Sequence, residues 1–299
     1  MPFTELLASS PTLFIASSLI LGLIVGSFLN VVIYRLPVML DRQWREQCAE
    51  YGGDTIEANS TPFNLVRPRS SCPSCKTRIK AWHNIPIVSY LALRGRCAGC
   101  GTPISARYPL VEALTGLLSA TVAWKFGYGA PAAAALVLTW FLIALTFIDV
   151  DHQLLPDTLT LPLLWLGILV SIIGFTASGV ESVPVDLRSS VIGAIAGYLS
   201  LWSVYQVFRL LTGKEGMGYG DFKLLAALGA WMGWKMLLPI VLISAAVGAV
   251  VGIAMLAAQR RNRSTPIPFG PFLAVAGWLM LLFGPELIDG YLGLFAPRL

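Results

Sequence analysis

The sequence predicts an all-α polytopic membrane protein of about eight transmembrane helices, with a small polar domain inserted after the first. Three observations carry this. Of 299 residues, 56% are apolar and only 12% charged, against about 25% charged in ordinary globular chains. The mean hydropathy is +0.72. Apolar runs of the length needed to cross about 30 Å of hydrocarbon, about 20 residues, recur along the chain. A soluble chain of this size needs far more charge to cover its surface. Composition therefore excludes an ordinary cytosolic enzyme, a nucleic-acid binder and a disordered tail protein.

The first run covers 13–34 and carries no charge before Arg35. It reads as a retained span, not a cleaved signal, because Glu5 and no basic residue precedes it and the run exceeds a signal core in length. Residues 35–107 are polar, rich in Arg, Pro and Gly, and hold all five cysteines. Apolar runs return at 109–127, 131–148, 158–177, 190–211, 222–234, 236–258 and 269–288. The expected organisation is a first transmembrane helix (1–34), a cytoplasmic cysteine-bearing loop domain (35–107) and a seven-helix membrane core (108–299). The stretch 222–258 is about 55 Å as helix, short of two full crossings, so 222–234 reads as a short span opening beside Asp221.

Charge sets the orientation. With the 35–107 loop on the cytoplasmic side, only Lys125, Arg188, Lys235 and Arg298 fall on the far side, leaving 17 of the 21 basic residues inside. Both termini are then expected outside the cytoplasm. The cluster Arg260, Arg261 and Arg263 reads as an anchor against anionic membrane lipid.

Cys72-Pro-Ser-Cys75 and Cys97-Ala-Gly-Cys100 form two C-x2-C knuckles 21 residues apart. Four thiolates suit one tetrahedral zinc and close its shell, so the metal is expected to be structural, a staple for a loop too small to build its own core. The alternatives are two disulfides or idle thiols, and a reducing cytoplasm disfavours the disulfides. No aromatic stacking pattern accompanies the knuckles, so nucleic acid is not an expected partner. Cys48 is expected to be a free thiol, and His83 a loop residue.

Two acidic clusters lie at span edges on the expected cytoplasmic side. One is Asp149-Val150-Asp151-His152 followed by Leu155-Pro156-Asp157. The other is Gly216-Met217-Gly218-Tyr219-Gly220-Asp221. Ionisable groups at such depth are functional candidates. Two carboxylates held close at a low-dielectric boundary share one proton. The charged member then takes a proton from water attacking a carbonyl while the other polarises that carbonyl. A phosphate cradle fits poorly, since no Gly-Lys-Ser/Thr follows the glycines. Solvated loop charge remains an alternative, as does a transporter or channel using the two aspartates as ion or proton sites. Asn30 and Glu112 are candidates either to line the cavity or to pair with neighbours.

Taken together, several motifs resemble the type IV prepilin peptidases, a branch of the GxGD membrane aspartyl proteases. They are Asp149 with Leu155-Pro156-Asp157, Gly218-Tyr219-Gly220-Asp221, the segment 26–32 (Gly-Ser-Phe-Leu-Asn-Val-Val), the paired knuckles, and 266–271 (Pro-Ile-Pro-Phe-Gly-Pro). The resemblance covers nearly the whole chain and is to the long, cysteine-bearing bacterial branch. It implies an inner-membrane enzyme that removes the basic leader of prepilins and type II secretion pseudopilins at a Gly–Phe junction on the cytoplasmic side. It further implies N-methylation of the new terminus from S-adenosyl-L-methionine, with no nucleotide fingerprint in the sequence to locate the donor. Carried over by position, the catalytic pair is Asp149 and Asp221. Asp151 and Asp157 are weaker candidates, and Asp157 is expected to cap the helix after it. The substrate's apolar helix is expected to dock between spans by packing within lipid.

Overall fold

A computed structural model describes residues 3–52, 62–80, 82, 85–173, 185–257 and 267–295. His83, the arginines at 260, 261 and 263, Pro266 and Arg298 lie outside them. The described residues are helical apart from turns, short 3-10 pieces and two isolated β-bridges. The helices are α1 (Phe3–Ser9), α2 (Pro11–Gly52), α3 (Val88–Ala92), α4 (Arg107–Phe126), α5 (Ala130–His152), α6 (Asp157–Ile173), α7 (Leu187–Thr212), α8 (Tyr219–Met232), α9 (Leu237–Ala257) and α10 (Gly270–Phe295). Among them α2, α5, α7, α10 and the run Trp234–Met255 are long and apolar enough to cross a membrane. Helix α4 is of comparable length but carries Arg107, Glu112 and Lys125. The eight expected spans correspond to α2 and α4 through α10. Large apolar side chains such as Ile24, Phe28, Trp165, Leu169, Leu238 and Leu242 stand exposed on these helices, as lipid-facing positions do. The chain is an integral membrane protein.

The described chain divides into two compact units, Met1–Trp124 and Lys125–Leu299. In the first, α2 and α4 approach so closely that side chains are excluded at the crossing. A Cβ on Gly26 would lie 2.8 Å from Glu112 Cα, and one on Gly22 2.7 Å from the Thr115 carbonyl. Small residues allow this where lipid supplies no hydrophobic drive. The hydroxyls of Thr115 and Ser119 bond back to Val111 and Thr115 carbonyls, so no polar group is orphaned there.

Helix α2 does not end with its apolar run at Tyr34; it continues through buried Arg35 and Pro37 to Gly52. The extension is a docking rail. Arg35 donates from Nη1 to the Asn64 carbonyl (2.9 Å) and from Nη2 to the Pro68 carbonyl (2.7 Å). The Phe63 ring lies 4.4 Å from the Arg42 guanidinium. A buried guanidinium requires such bonds, and they fix the cysteine-bearing segment to the helix.

The second unit is built around α8. This helix is apolar on nearly every side and buried from Asp221 to Met232 apart from Lys223, as an all-round hydrophobic helix must be. At 14 residues it spans only about 21 Å, matching the short span expected from the sequence. Helix α7 packs on it through glycines. A Cβ on Gly193 would lie 2.2 Å from the Gly229 carbonyl, and one on Gly197 2.7 Å from that of Leu225. Trp231 Nε1 donates to the Leu163 carbonyl of α6 (2.8 Å), and Trp278 Nε1 of α10 donates to Thr139 Oγ1 of α5 (3.1 Å).

Candidate active site and metal centre

Four helix ends converge in the second unit. Helix α5 closes with Gln153 in the left-handed conformation (φ 51), which places Asp149 in its last turn. Helix α8 opens with Asp221 in its first turn. Both carboxylates are buried, Asp149 at 5% and Asp221 at 6% exposure, and they lie within electrostatic reach of each other. Helix α10 begins at Gly270, whose N–H donates to Asp149 Oδ2 (3.1 Å). That carboxylate thus sits on a helix N-terminus, where backbone donors and the helix dipole favour negative charge. Asp221 Oδ1 has no hydrogen-bond partner among the described residues. One acid is held by the scaffold, and the other keeps an open acceptor.

Leu155 packs closely beside the pair, between Gly220 and Gly270. A Cβ on Gly220 would lie 2.6 Å from Leu155 Cβ. A Cβ on Gly270 would lie 3.1 Å from Leu155 Cδ1 and 2.6 Å from Asp149 Oδ2. Glycine is therefore required at both positions for close approach. The segment Pro268-Phe269-Gly270-Pro271, read from sequence only as part of a motif, supplies the donor to Asp149. Its signal was a glycine between prolines at a helix start.

Asp151 and His152 are exposed, outside the buried pair. Asp157 is the first residue of α6, but its carboxylate does not serve as the expected cap. It receives Lys223 Nζ of α8 at 2.6 and 2.8 Å, because a lysine one turn into α8 faces it across the helix ends. Asn30 and Glu112 each pair with a neighbour within the first unit. Asn30 Nδ2 donates to the Tyr108 carbonyl (3.1 Å), and Glu112 Oε2 accepts from Ile87 N–H (2.8 Å).

In the first unit the Sγ atoms of Cys72, Cys75, Cys97 and Cys100 all lie within 4.8 Å of one another. The pairs Cys72–Cys100 and Cys75–Cys97 are 3.8 and 4.0 Å apart. A tetrahedral zinc with Zn–S of about 2.3 Å requires S–S separations of about 3.8 Å, so the quartet fits a metal ion. The two knuckles are copies. Cys72 N–H bonds the Thr77 carbonyl as Cys97 N–H bonds that of Thr102, and Lys76 (φ 58) and Gly101 (φ 71) turn the chain in the same way. Thr77 and Thr102 hydroxyls lie 3.2 Å from Cys75 and Cys100 sulfurs. The contact with Thr77 brings the Cys75 thiol down to about 6, and the Gly99 N–H lowers that of Cys97. The threonines went unremarked in the sequence, although C-x2-C-x-T occurs twice. Cys48 is exposed on α2.

An all-helical membrane protein with two buried acids at converging helix ends and four clustered thiols fits a class, the intramembrane aspartyl-type hydrolases with a domain that could hold a metal ion. Residues 20–126 match the bacterial peptidase A24 N-terminal domain, and 136–253 match the type IV leader peptidase family. A prepilin leader peptidase/N-methyltransferase from Stutzerimonas stutzeri is 55% identical over 96% of this chain and 97% of its own. Proteins of the same name from Pseudomonas aeruginosa (52%, 98% of each chain) and Aeromonas hydrophila (54%, 96% and 97%) are also similar. The chain belongs to the type IV leader peptidase family. No solved structure matches it significantly.

Proposed function

We propose that this chain is a bifunctional prepilin processing enzyme, cutting the leader from prepilins and type II secretion pseudopilins and then N-methylating the new terminal residue. The observation that carries the peptidase half is the pairing of buried Asp149 and Asp221, one anchored by Gly270 and the other with an acceptor free. In this reading one carboxylate takes a proton from water as it attacks the scissile carbonyl. The protonated partner donates to the carbonyl oxygen, and collapse of the tetrahedral intermediate expels the protonated amine. The relatives' shared name and their coverage of almost the whole chain support this reading and do not favour a transporter or channel.

The four thiolates would hold a structural zinc, which supplies a cross-link and no open coordination position. S-adenosyl-L-methionine would supply the methyl group. That assignment rests on the family resemblance and the relatives' name, and no residue is assigned to the donor. The placement of basic residues supports the bacterial inner membrane with the dyad at its cytoplasmic face. There a substrate's basic leader lies in water and its apolar helix in lipid. The proposed division is a first transmembrane helix (1–34), a zinc-knuckle domain (35–107) and a peptidase core (108–299).

The test is leader removal from a purified prepilin by the chain in detergent, beside Asp149→Asn and Asp221→Asn. Loss of cleavage in both, with methylation of an already mature pilin retained, is the expected outcome. Cleavage surviving in both refutes the dyad.

A further inference from the structure

We propose that Asp157 and Lys223 form a positioning pair that sets the spacing of the catalytic aspartates. The inference rests on the peptidase reading above. Lys223 Nζ meets both carboxylate oxygens of Asp157, at 2.6 and 2.8 Å, across 66 residues of sequence. The pair ties the first turn of α6 to the first turn of α8. Lys223 is two residues beyond Asp221 on one side of this tie. On the other, Asp157 is two residues beyond Leu155, the side chain lodged between Gly220 and Gly270.

The mechanical consequence follows from that order. Gly220 adjoins Asp221, and Gly270 holds Asp149 through its N–H. Leu155 is thus the spacer between the residue that precedes Asp221 and the residue that anchors Asp149, and it belongs to a non-helical link, 154–156, between α5 and α6. Such a link is held in register only if its far end is fixed. Pro156 provides no N–H for this. Asp157 provides a carboxylate, and Lys223 is the cation that takes it. Drawing α6 toward α8 presses Leu155 against Gly220, and the spacing of the aspartates is the result.

A partly exposed ion pair contributes little to stability; here the Lys223 and Asp157 side chains are 26% and 54% exposed. Misplacement of reacting groups, by contrast, acts steeply on rate. The pair should therefore be visible in turnover while melting temperature and substrate affinity hold. This separates a positioning role from a merely structural one.

The experiment uses the full chain in detergent with a purified prepilin. Asp157→Asn and Lys223→Met should each lower kcat for leader removal roughly tenfold with KM and Tm unchanged. Lys223→Arg, which keeps the charge and reach, should hold close to the parent rate. The reversed pair Asp157→Lys with Lys223→Asp should recover part of the loss, incompletely because a lysine opposes the dipole in the first turn of α6. Parent-like kcat in both single variants overturns the proposal, as does a reversed pair no faster than the slower single variant. So does a fall in kcat that tracks a fall in Tm. If Asp149→Asn and Asp221→Asn still cleave, the dyad assignment fails first and takes this inference with it.

Discussion

The cysteine knuckles and the aspartate pair are both clusters of ionisable side chains, but they are assembled in opposite ways. The knuckle thiols fall within residues 72–100, and each half is a closed turn whose backbone hydrogen bonds are made within ten residues. The dyad draws Asp149 and Asp221 from two helices, its anchor Gly270 from a third and its spacer Leu155 from a link. A local site survives damage elsewhere in the fold, whereas a convergent site inherits every displacement of the helices that carry it. That contrast makes the pair sensitive to small steric changes and the knuckles sensitive to ligand chemistry.

The largest expected effect is at the dyad. Asp149→Asn and Asp221→Asn remove a proton acceptor or donor without changing size, and each should lower leader cleavage by about 1,000-fold or more. Bound metal should be untouched. Gly270→Ala tests convergence without touching an acid. Its Cβ would lie 2.6 Å from Asp149 Oδ2, so kcat should fall about 100-fold while the protein remains folded by circular dichroism. A Gly270→Ala enzyme with full activity would show that Asp149 is not held as the geometry implies.

At the knuckles the expected pattern is reversed. Cys72→Ser and Cys97→Ser should each abolish stoichiometric metal binding, read by elemental analysis, and lower yield. In whatever protein folds, the cleavage rate should stay within a few-fold of the parent. Full metal occupancy in both variants would refute a four-thiolate site. The smallest effect concerns proton competition. Thiolate is the metal-binding form, and hydrogen bonds with Thr77, then with Cys100 and Cys72, bring Cys75 down to about 6, so near pH 7 that thiol needs no deprotonation. Thr77→Val should raise the thiol and weaken metal affinity at pH 7 by roughly tenfold. The deficit should shrink above pH 9, where both proteins are deprotonated. For the parent, affinity should fall more steeply once pH drops below about 6. A pH-independent deficit would show that the hydroxyl does not act through ionisation.

The positions of α2 and of α4 through α10 were legible because apolar runs of membrane length have few alternatives. Even the shortness of α8 could be counted from residues 222–258. The end of α2 was not. Its apolar run stops at Tyr34, but the helix continues to Gly52 because Arg35 and Arg42 find partners in Asn64, Pro68 and Phe63, and no periodicity announces such contacts. The expectation that Asp157 caps α6 followed a sound local rule and lost to Lys223, a partner 66 residues away.

By itself, then, the sequence determined the membrane class, the membrane-length helices and the pairing of four cysteines into two knuckles, since each depends on composition or on spacing within one short segment. Tertiary structure alone decided that Gly270 anchors Asp149, that Leu155 lies between Gly220 and Gly270, and that Asp221 keeps an oxygen with no partner among the described residues. These depend on which helix ends meet and at what distance. Close packing at glycines such as Gly220, Gly270 and Gly277 accompanies that meeting, and the fit of such surfaces is not a property of any linear pattern.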